Sequence, residues 1–226
     1  MTLTPRLDIL GSALADTSRA RMLCELMDGR AFTNKELAGA AGITPQTASA
    51  HLRKLEEAGL IAAERSGRCL YHRIAGAQVA EALETLATLA PCDHLYRAQQ
   101  RKGARAQMLA ARSCYDHLAG KLGVMIAEAL EANGDLIRDD DRFLPQPSQR
   151  WAQLGVRLTG RAPLARPCLD WTERKSHIAG PIGRQILTQA LERDWLQRKR
   201  AERGLTVTRA GAETFQQILG ISWNAA

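Results

Sequence analysis

Two short stretches of the 226-residue sequence carry residue types that hold soft metals or react with oxidants: Cys114, Asp116 and His117 in one, and Cys168, Asp170 and His177 in the other. Each stretch sets a thiol and a carboxylate ahead of an imidazole, with two residues between Cys and His in the first and eight in the second. An imidazole beside a thiol favours the thiolate, which is both the reactive and the metal-binding form. Two such thiols brought together would form a disulfide or hold a soft metal. Three readings of Cys114, His117, Cys168 and His177 therefore stand side by side: a tight structural core, a redox- or electrophile-sensing thiol pair, and a site for a metal or another ligand. No nucleophile, base and orienting group are set out together, so no catalytic residue is assigned. No cofactor is assigned either, beyond the metal left open at this quartet.

The remaining thiols promise less. Cys24 interrupts an apolar helical run and reads as a small buried hydrophobe. Cys69 lies next to Arg68, where a neighbouring cation would favour its thiolate. Cys92 and His94 are two potential ligands whose spacing alone says little. Five cysteines in all, an odd and scattered number, in a chain too long to need covalent staples, are expected to be reduced.

The elements around the quartet repeat. Aligning His117 with His177 also pairs Ala119 with Ala179, Gly120 with Gly180, Gly123 with Gly183 and Ile126 with Ile186, all 60 residues apart. Two related units, about 113–157 and 168–222, are expected, each a Gly-rich helix, a second helix and a short extended segment. The small residues allow close approach of a helix to another helix or to backbone, and that needs no ligand.

Composition sets the frame. With 45% apolar and 24% charged residues, the chain is an ordinary globular one, too long for a mini-protein. No run approaches the ~18 apolar residues of a membrane span. The N-terminus has neither a secretory nor a transit pattern, so a cytoplasmic location is expected. Net charge is +7 and unevenly placed: residues 1–90 carry 10 basic and 10 acidic side chains, residues 91–226 carry 21 and 14. A polyanionic partner is implied. Part of the excess, Arg97, Arg101, Lys102, Arg105 and Arg112, reads as a solvated basic stretch.

The first ninety residues hold a different kind of chemistry. Leu7, Leu10 and Leu14 predict an amphipathic helix over 6–15, and Ala20, Leu23, Leu26 and Met27 another over 18–28. Thr33 and Glu36 form a capping box for a third helix closed by Gly42. Thr44 caps a fourth, with Pro45 at its first position and its end at Gly59. Ala48, Leu52 and Leu55 face inward in that helix, leaving Gln46, Thr47, Ser49, Ala50, Arg53 and Lys54 outward. Short polar groups ahead of basic ones suit a helix entering the DNA major groove end-first. Residues 61–65 and 68–74 then read as a hairpin turning at Ser66-Gly67, with Arg65, Arg68 and Arg73 on a basic wing that would add phosphate contacts. His51, on the border of core and groove faces, reads as a structural histidine before a base reader.

Residues 8–75 resemble the winged-helix repressors of the ArsR type. The resemblance is carried by Asp16 to Arg21, Glu36-Leu37-Ala38, the run from Thr47 to Ile61 containing Ser49-Ala50-His51-Leu52, and Ser66-Gly67-Arg68. It implies a homodimer on a palindromic operator, mostly acting as a repressor released by a signal. The family's familiar sensing positions are empty here: Glu36 to Ala41 contains no thiol, and the helix over 76–90 contains no His. That helix, with Val79, Leu83, Leu86 and Ala90 on one side, is the expected dimer contact. Longer members with a C-terminal extension also look similar to this chain, but they assign no signal.

The expected fold is thus mainly α with a small β-hairpin wing: a winged helix-turn-helix for DNA binding and dimerisation over 1–90, a basic helical linker over 91–112, and a mostly helical, internally duplicated sensory domain over 113–226. The expected function is a non-enzymatic, homodimeric, double-stranded-DNA-binding regulator responding to an unknown effector. Gln46, Thr47, Ser49 and Ala50 would face bases; Thr44, Arg53, Lys54, Arg65, Arg68 and Arg73 would hold phosphates or the groove edge. Two alternatives remain: a thiol or metal enzyme in the C-terminal half, with the winged helix for docking, and a constitutive DNA-binding protein without effector.

Overall fold

The computed structural model describes residues 5–27, 29–90, 107–160, 163–198 and 204–223. They fall into two compact units, Met1–Leu83 and Glu84–Ala226.

In the first unit local signals set the helix ends. α1 (Leu7–Leu14) leads into α2 (Thr17–Leu26), whose first turn is capped by the Asp16 carboxylate accepting from the backbone N–H groups of Ser18 and Arg19. A short β1 (Phe32–Thr33) precedes α3 (Asn34–Ala41), where the Thr33–Glu36 capping box forms and Gly42 closes the helix in the left-handed region. α4 (Pro45–Glu57) starts at a Thr44 cap and buries Ala48, Leu52 and Leu55. β2 (Ile61–Ser66) and β3 (Cys69–Ile74) pair antiparallel from Ile61–Ile74 to Ser66–Cys69. Gly67, at φ 58°, supplies the positive φ that a two-residue hairpin turn needs at its first position. β1 adds itself to β3, a third strand that two residues of sequence do not announce.

Two expectations are corrected here. Leu7 and Leu10 do not form a buried stripe: Leu7 is 69% exposed, and α1 buries only Ala13. Cys24 is exposed, because the buried side of α2 is Arg19, Met22, Leu23 and Leu26, and 100° per residue turns position 24 away from it.

α5 (Ala77–Leu89) begins in the first unit and ends in the second. The second unit continues with a hairpin, β4 (Arg112–Cys114) and β5 (His117–Ala119), a helix α6 (Gly120–Ala132), a hairpin β6 (Leu136–Asp139) and β7 (Arg142–Pro145), and a short helix α7 (Gln149–Gln153). The same order follows: β8 (Arg166–Leu169) with β9 (Ser176–Ala179), α8 (Gly180–Glu192), β10 (Leu196–Arg198) with β11 (Leu205–Val207), and α9 (Arg209–Leu219). One core, including Leu122, Ile126, Phe143, Trp151, Ile182 and Phe215, is shared by both runs. α6 packs against β9 and α8 against β5.

This unit is less helical than expected. His117 and His177 sit on strands rather than on Gly-rich helices; the strands end at Ala119 and Ala179, and the helices open at Gly120 and Gly180, both at positive φ (78° and 83°). Arg112, counted by sequence with a solvated basic stretch, is fully buried in β4. Arg97, Arg101, Lys102, Arg105, Cys92 and His94 lie outside the described residues.

Candidate functional site

Hairpin register explains how two unequal spacings converge. Cys114 is the cross-strand partner of His117 on β4–β5, across a tight turn with Tyr115 at φ 56°; Cys168 is the cross-strand partner of His177 on β8–β9, across a longer loop. Partners on adjacent strands have Cβ atoms about 4.5–5.5 Å apart, so each hairpin delivers one sulfur and one imidazole to the same place. The two places are one: the ligand atoms of Cys114, His117, Cys168 and His177 all lie within 4.8 Å of one another. Three of the four residues are buried and Cys168 is half-buried.

The rings are aimed by carboxylates. His117 Nδ1 lies 3.2 Å from Asp116 Oδ1, and His177 Nδ1 lies 3.4 Å from Asp170 Oδ2. Carboxylates at Nδ1 leave both Nε2 atoms facing inward, 3.1 Å from each other. That distance fits one Nε2–H donating to the lone pair of the other ring, and a metal ion bound by both lone pairs would take the place of that proton. A tetrahedral ion with bonds of about 2.0–2.3 Å needs donor atoms roughly 3.3–3.8 Å apart; separations in the present cluster reach up to 4.8 Å, so its widest pairs would close by about 1–1.5 Å at most, while the two Nε2 atoms, at 3.1 Å, would open slightly. Two sulfurs, two nitrogens and carboxylates behind the imidazoles fit a borderline-soft divalent ion of the zinc kind. The site is able to coordinate a metal ion.

Asp170 is the hub of the support. Its carboxylate accepts two 2.8 Å bonds from Arg112, one from the Gly120 N–H that starts α6, and others from Thr172 and Glu173. Arg112 and Asp170 side chains are both wholly buried. Burial opposes the charge on Asp170, but His177, the Arg112 guanidinium and Thr172 outweigh it and hold the carboxyl well below the usual range. The Arg112 guanidinium also stacks 4.8 Å over the Trp171 ring.

Neither Glu84 nor Arg112 is visible as a site residue in the sequence. Glu84, just past the middle of α5, places its carboxyl against both sulfurs: Cys114 Sγ donates to Oε1, and Cys168 Sγ lies 3.2 Å from Oε2. Burial and the neighbouring Cys168 push Glu84 up to about 7. Contact with Cys114, against the opposing burial, lowers Cys168, and His117 and His177 assist; burial raises Cys114 well above the ordinary thiol range. Burial lowers the affinity of His117 for its proton, but Asp116 and Cys168 more than restore it, to about 9. The pair thus joins one acidic thiol to one inert one.

The sequence-assigned α4 and wing residues are all at the surface: Thr44, Gln46, Thr47, Ser49, Ala50, Arg53, Lys54, Arg65, Arg68 and Arg73 are exposed. Several are already engaged. The Thr44 hydroxyl accepts from the Thr47 N–H and bonds the Thr47 hydroxyl, and the Ser49 hydroxyl donates to Pro45 O while accepting from Asn34. Arg73 lies 3.6 Å from Glu64. His51 is half-buried, with Nδ1 3.0 Å from Arg19 and Nε2 3.8 Å from Asp16, which ties α4 to α2.

A capped helix with an exposed polar and basic face, followed by a basic two-stranded wing, defines the class: a winged helix-turn-helix protein. A helix-turn-helix domain model matches residues 14–63. The HTH-type transcriptional regulator YdfF of Bacillus subtilis (strain 168) is 38% identical over 225 residues, covering 97% of this chain and 99% of that one. The HTH-type transcriptional regulator CmtR of Mycobacterium tuberculosis is 39% identical over 77 residues, 34% of this chain and 64% of CmtR. Among solved structures, the homodimeric winged helix-turn-helix domain Mb0332 of Mycobacterium bovis is 32% identical over 45% of this chain and 99% of its own, with a TM-score of 0.35. The chain belongs to the ArsR/SmtB family of winged helix-turn-helix transcriptional regulators, as a member whose C-terminal extension carries the Cys/His cluster. No described helix is long and apolar enough to cross a membrane.

Proposed function

We propose that the protein is a cytoplasmic, homodimeric repressor that reads DNA with α4 and its wing and is switched by occupancy of the Cys114, His117, Cys168 and His177 site by a zinc-like divalent cation. The observation that carries the signal is the meeting of two imidazole Nε2 atoms at 3.1 Å inside a cluster that also holds two thiols. Dimerisation is supported by apolar side chains left in water: Leu7, Ile9 and Leu10 on α1, and Leu86 and Leu89 on α5, are all exposed. The domain scheme of 1–90, a linker and 113–226 accompanies this reading. We infer also that 113–157 and 168–222 are copies of one unit. Both run hairpin, helix, hairpin, helix; both open the long helix on a glycine at positive φ; and both carry the Cys–His pair in the same register.

A second reading has its own support: an acidic Cys168 beside Cys114 is the arrangement of a thiol switch. A peroxide would accept two electrons from the two thiols, which lose their protons and join as a disulfide while the peroxide becomes water.

One experiment separates these. DNA from upstream of the protein's own gene is titrated with metal-free, Zn²⁺-saturated and peroxide-treated protein, with thiol state followed by intact mass. A cation-dependent change in affinity that Cys114→Ser and Cys168→Ser abolish supports the first reading; a change tied to a two-hydrogen mass loss supports the second; no change under either treatment leaves a constitutive DNA binder and overturns both. Within the same assay Arg68→Ala is expected to weaken all duplexes alike and reduce the slope of log affinity against log salt by about 1, whereas Gln46→Ala relaxes sequence choice. The reverse pattern would reassign both residues.

A further inference from the structure

We propose that Glu84 carries the state of the Cys/His site into α5: its carboxyl is seated on the two sulfurs while the site holds no cation, and is expelled when sulfur–metal bonds form. The proposal rests on the cation-site reading above and adds to it the element that moves. α5 is one unbroken helix from Ala77 to Leu89 with residues in both units. Glu84 is its member that touches the cluster, through Cys114 at Oε1 and Cys168 at Oε2. A second tie, Arg174 donating to Thr88 O at 2.8 Å, lies one turn further on and does not involve the cluster.

Binding of the cation would exchange the bonds that hold Glu84. Sulfur–metal bonds form at both cysteines, and the proton that Cys114 holds leaves to water. The Glu84 carboxyl then faces two anionic sulfurs with no donor between. A half-buried carboxylate that loses its hydrogen-bond partners and gains like charges is destabilised where it stands. Nor does the ion offer it a place, because two sulfurs and two imidazole nitrogens complete a tetrahedron, and two thiolates already balance a divalent charge. The ionised carboxylate turns toward water, and the last turns of α5, which its contact with the sulfurs holds in place, are displaced with it.

The test uses the full chain, with Co²⁺ as spectroscopic probe and Zn²⁺ as effector. Wild type should show sulfur-to-cobalt charge transfer with intense tetrahedral bands, and its affinity for the upstream duplex should differ between metal-free and Zn²⁺-saturated forms by at least about fivefold. Glu84→Gln, read at saturating Zn²⁺ so that cation affinity does not enter, should bring that ratio to within about twofold of one. A Glu84→Gln ratio equal to wild type overturns the proposal while leaving the cation site intact. Absence of the cobalt bands in wild type removes the site reading instead, and this proposal with it. Hydrogen exchange on wild type keeps the test open should the variant fold poorly: backbone amides of 84–89 should exchange faster with Zn²⁺ bound, and unchanged protection there overturns the proposal.

Discussion

Replacing Asp170 by Ala should lower the stability of the second unit by about 3–5 kcal/mol, the range for removing one partner of a buried ion pair. The figure follows from what is left behind. Arg112 would remain wholly buried with its charge uncompensated, its two bonds to the carboxylate gone. Gly120, the first residue of α6, would lose the acceptor of its N–H; Ala119 before it has no polar side chain to take over. His177 would lose the carboxylate at Nδ1 that aims its Nε2. In thermal denaturation this corresponds to a fall in midpoint of roughly 6–20 °C for a unit of this size. A loss below about 1 kcal/mol in equilibrium denaturation would show that water or another acceptor reaches Arg112. Asp170→Asn keeps the shape and is the milder probe; it should weaken Co²⁺ binding about 10–100-fold, as removal of a ligand-orienting carboxylate does. An unchanged cobalt affinity would mean that the hairpin backbone alone orients His177.

What the sequence disclosed, and what it withheld, divides along the range of the interactions. The first unit was legible because its boundaries are written in adjacent residues. Thr33 with Glu36, Thr44 with Pro45, and Gly42 each act within one turn of helix, and each stands where the pattern placed it. The apolar positions of α4 followed for the same reason. Leu7 and Leu10 had the right spacing for burial but stand exposed among the described residues, which spacing alone does not reveal.

The site was half legible. All four donors were visible as residue types, and the two histidines were visible as a pair 60 residues apart. Their convergence was hidden because strand pairing, not sequence interval, sets which residues meet. The turn of β4–β5 is tight and that of β8–β9 is long, yet Cys faces His in both. Reading the glycines as a helical face moved the histidines onto the helix, whereas Gly120 and Gly180 at positive φ are where the chain leaves the strand. Arg112 and Glu84 were lost for a simpler reason. Arg112 meets Asp170 across 58 residues and Glu84 meets Cys114 across 30, and nothing local distinguishes either from a solvated charge.

The second large effect tests whether those glycines hold the site together. Gly183→Ala should destabilise the second unit by about 2 kcal/mol or more and disturb the histidine pair. A Cβ at this position would stand 2.0 Å from Ile178 O and 3.1 Å from His117 Cβ. The first of these is backbone, which no side-chain rotation can relieve, so α8 must move away from β9 or the strand must bend. Inserting a single methyl group into a packed contact commonly costs about 1–3 kcal/mol. Here the displaced strand carries His177, and the second contact is the other histidine. Gly123 makes the reciprocal approach, 2.6 Å from Leu118 O and 3.5 Å from His177 Cβ, so Gly123→Ala should act in the same direction with a smaller effect. Gly39 supplies the comparison: it too is helical, but nothing lies within 4 Å of its missing Cβ. Gly39→Ala should be neutral or stabilising by up to about 1 kcal/mol, since Ala is the better helix former. Chemical denaturation of the three variants, with cobalt spectra of the folded ones, decides the matter. If Gly183→Ala were as stable as wild type and kept the wild-type cobalt bands, close approach of α8 to β9 would not be what holds the two imidazoles in register.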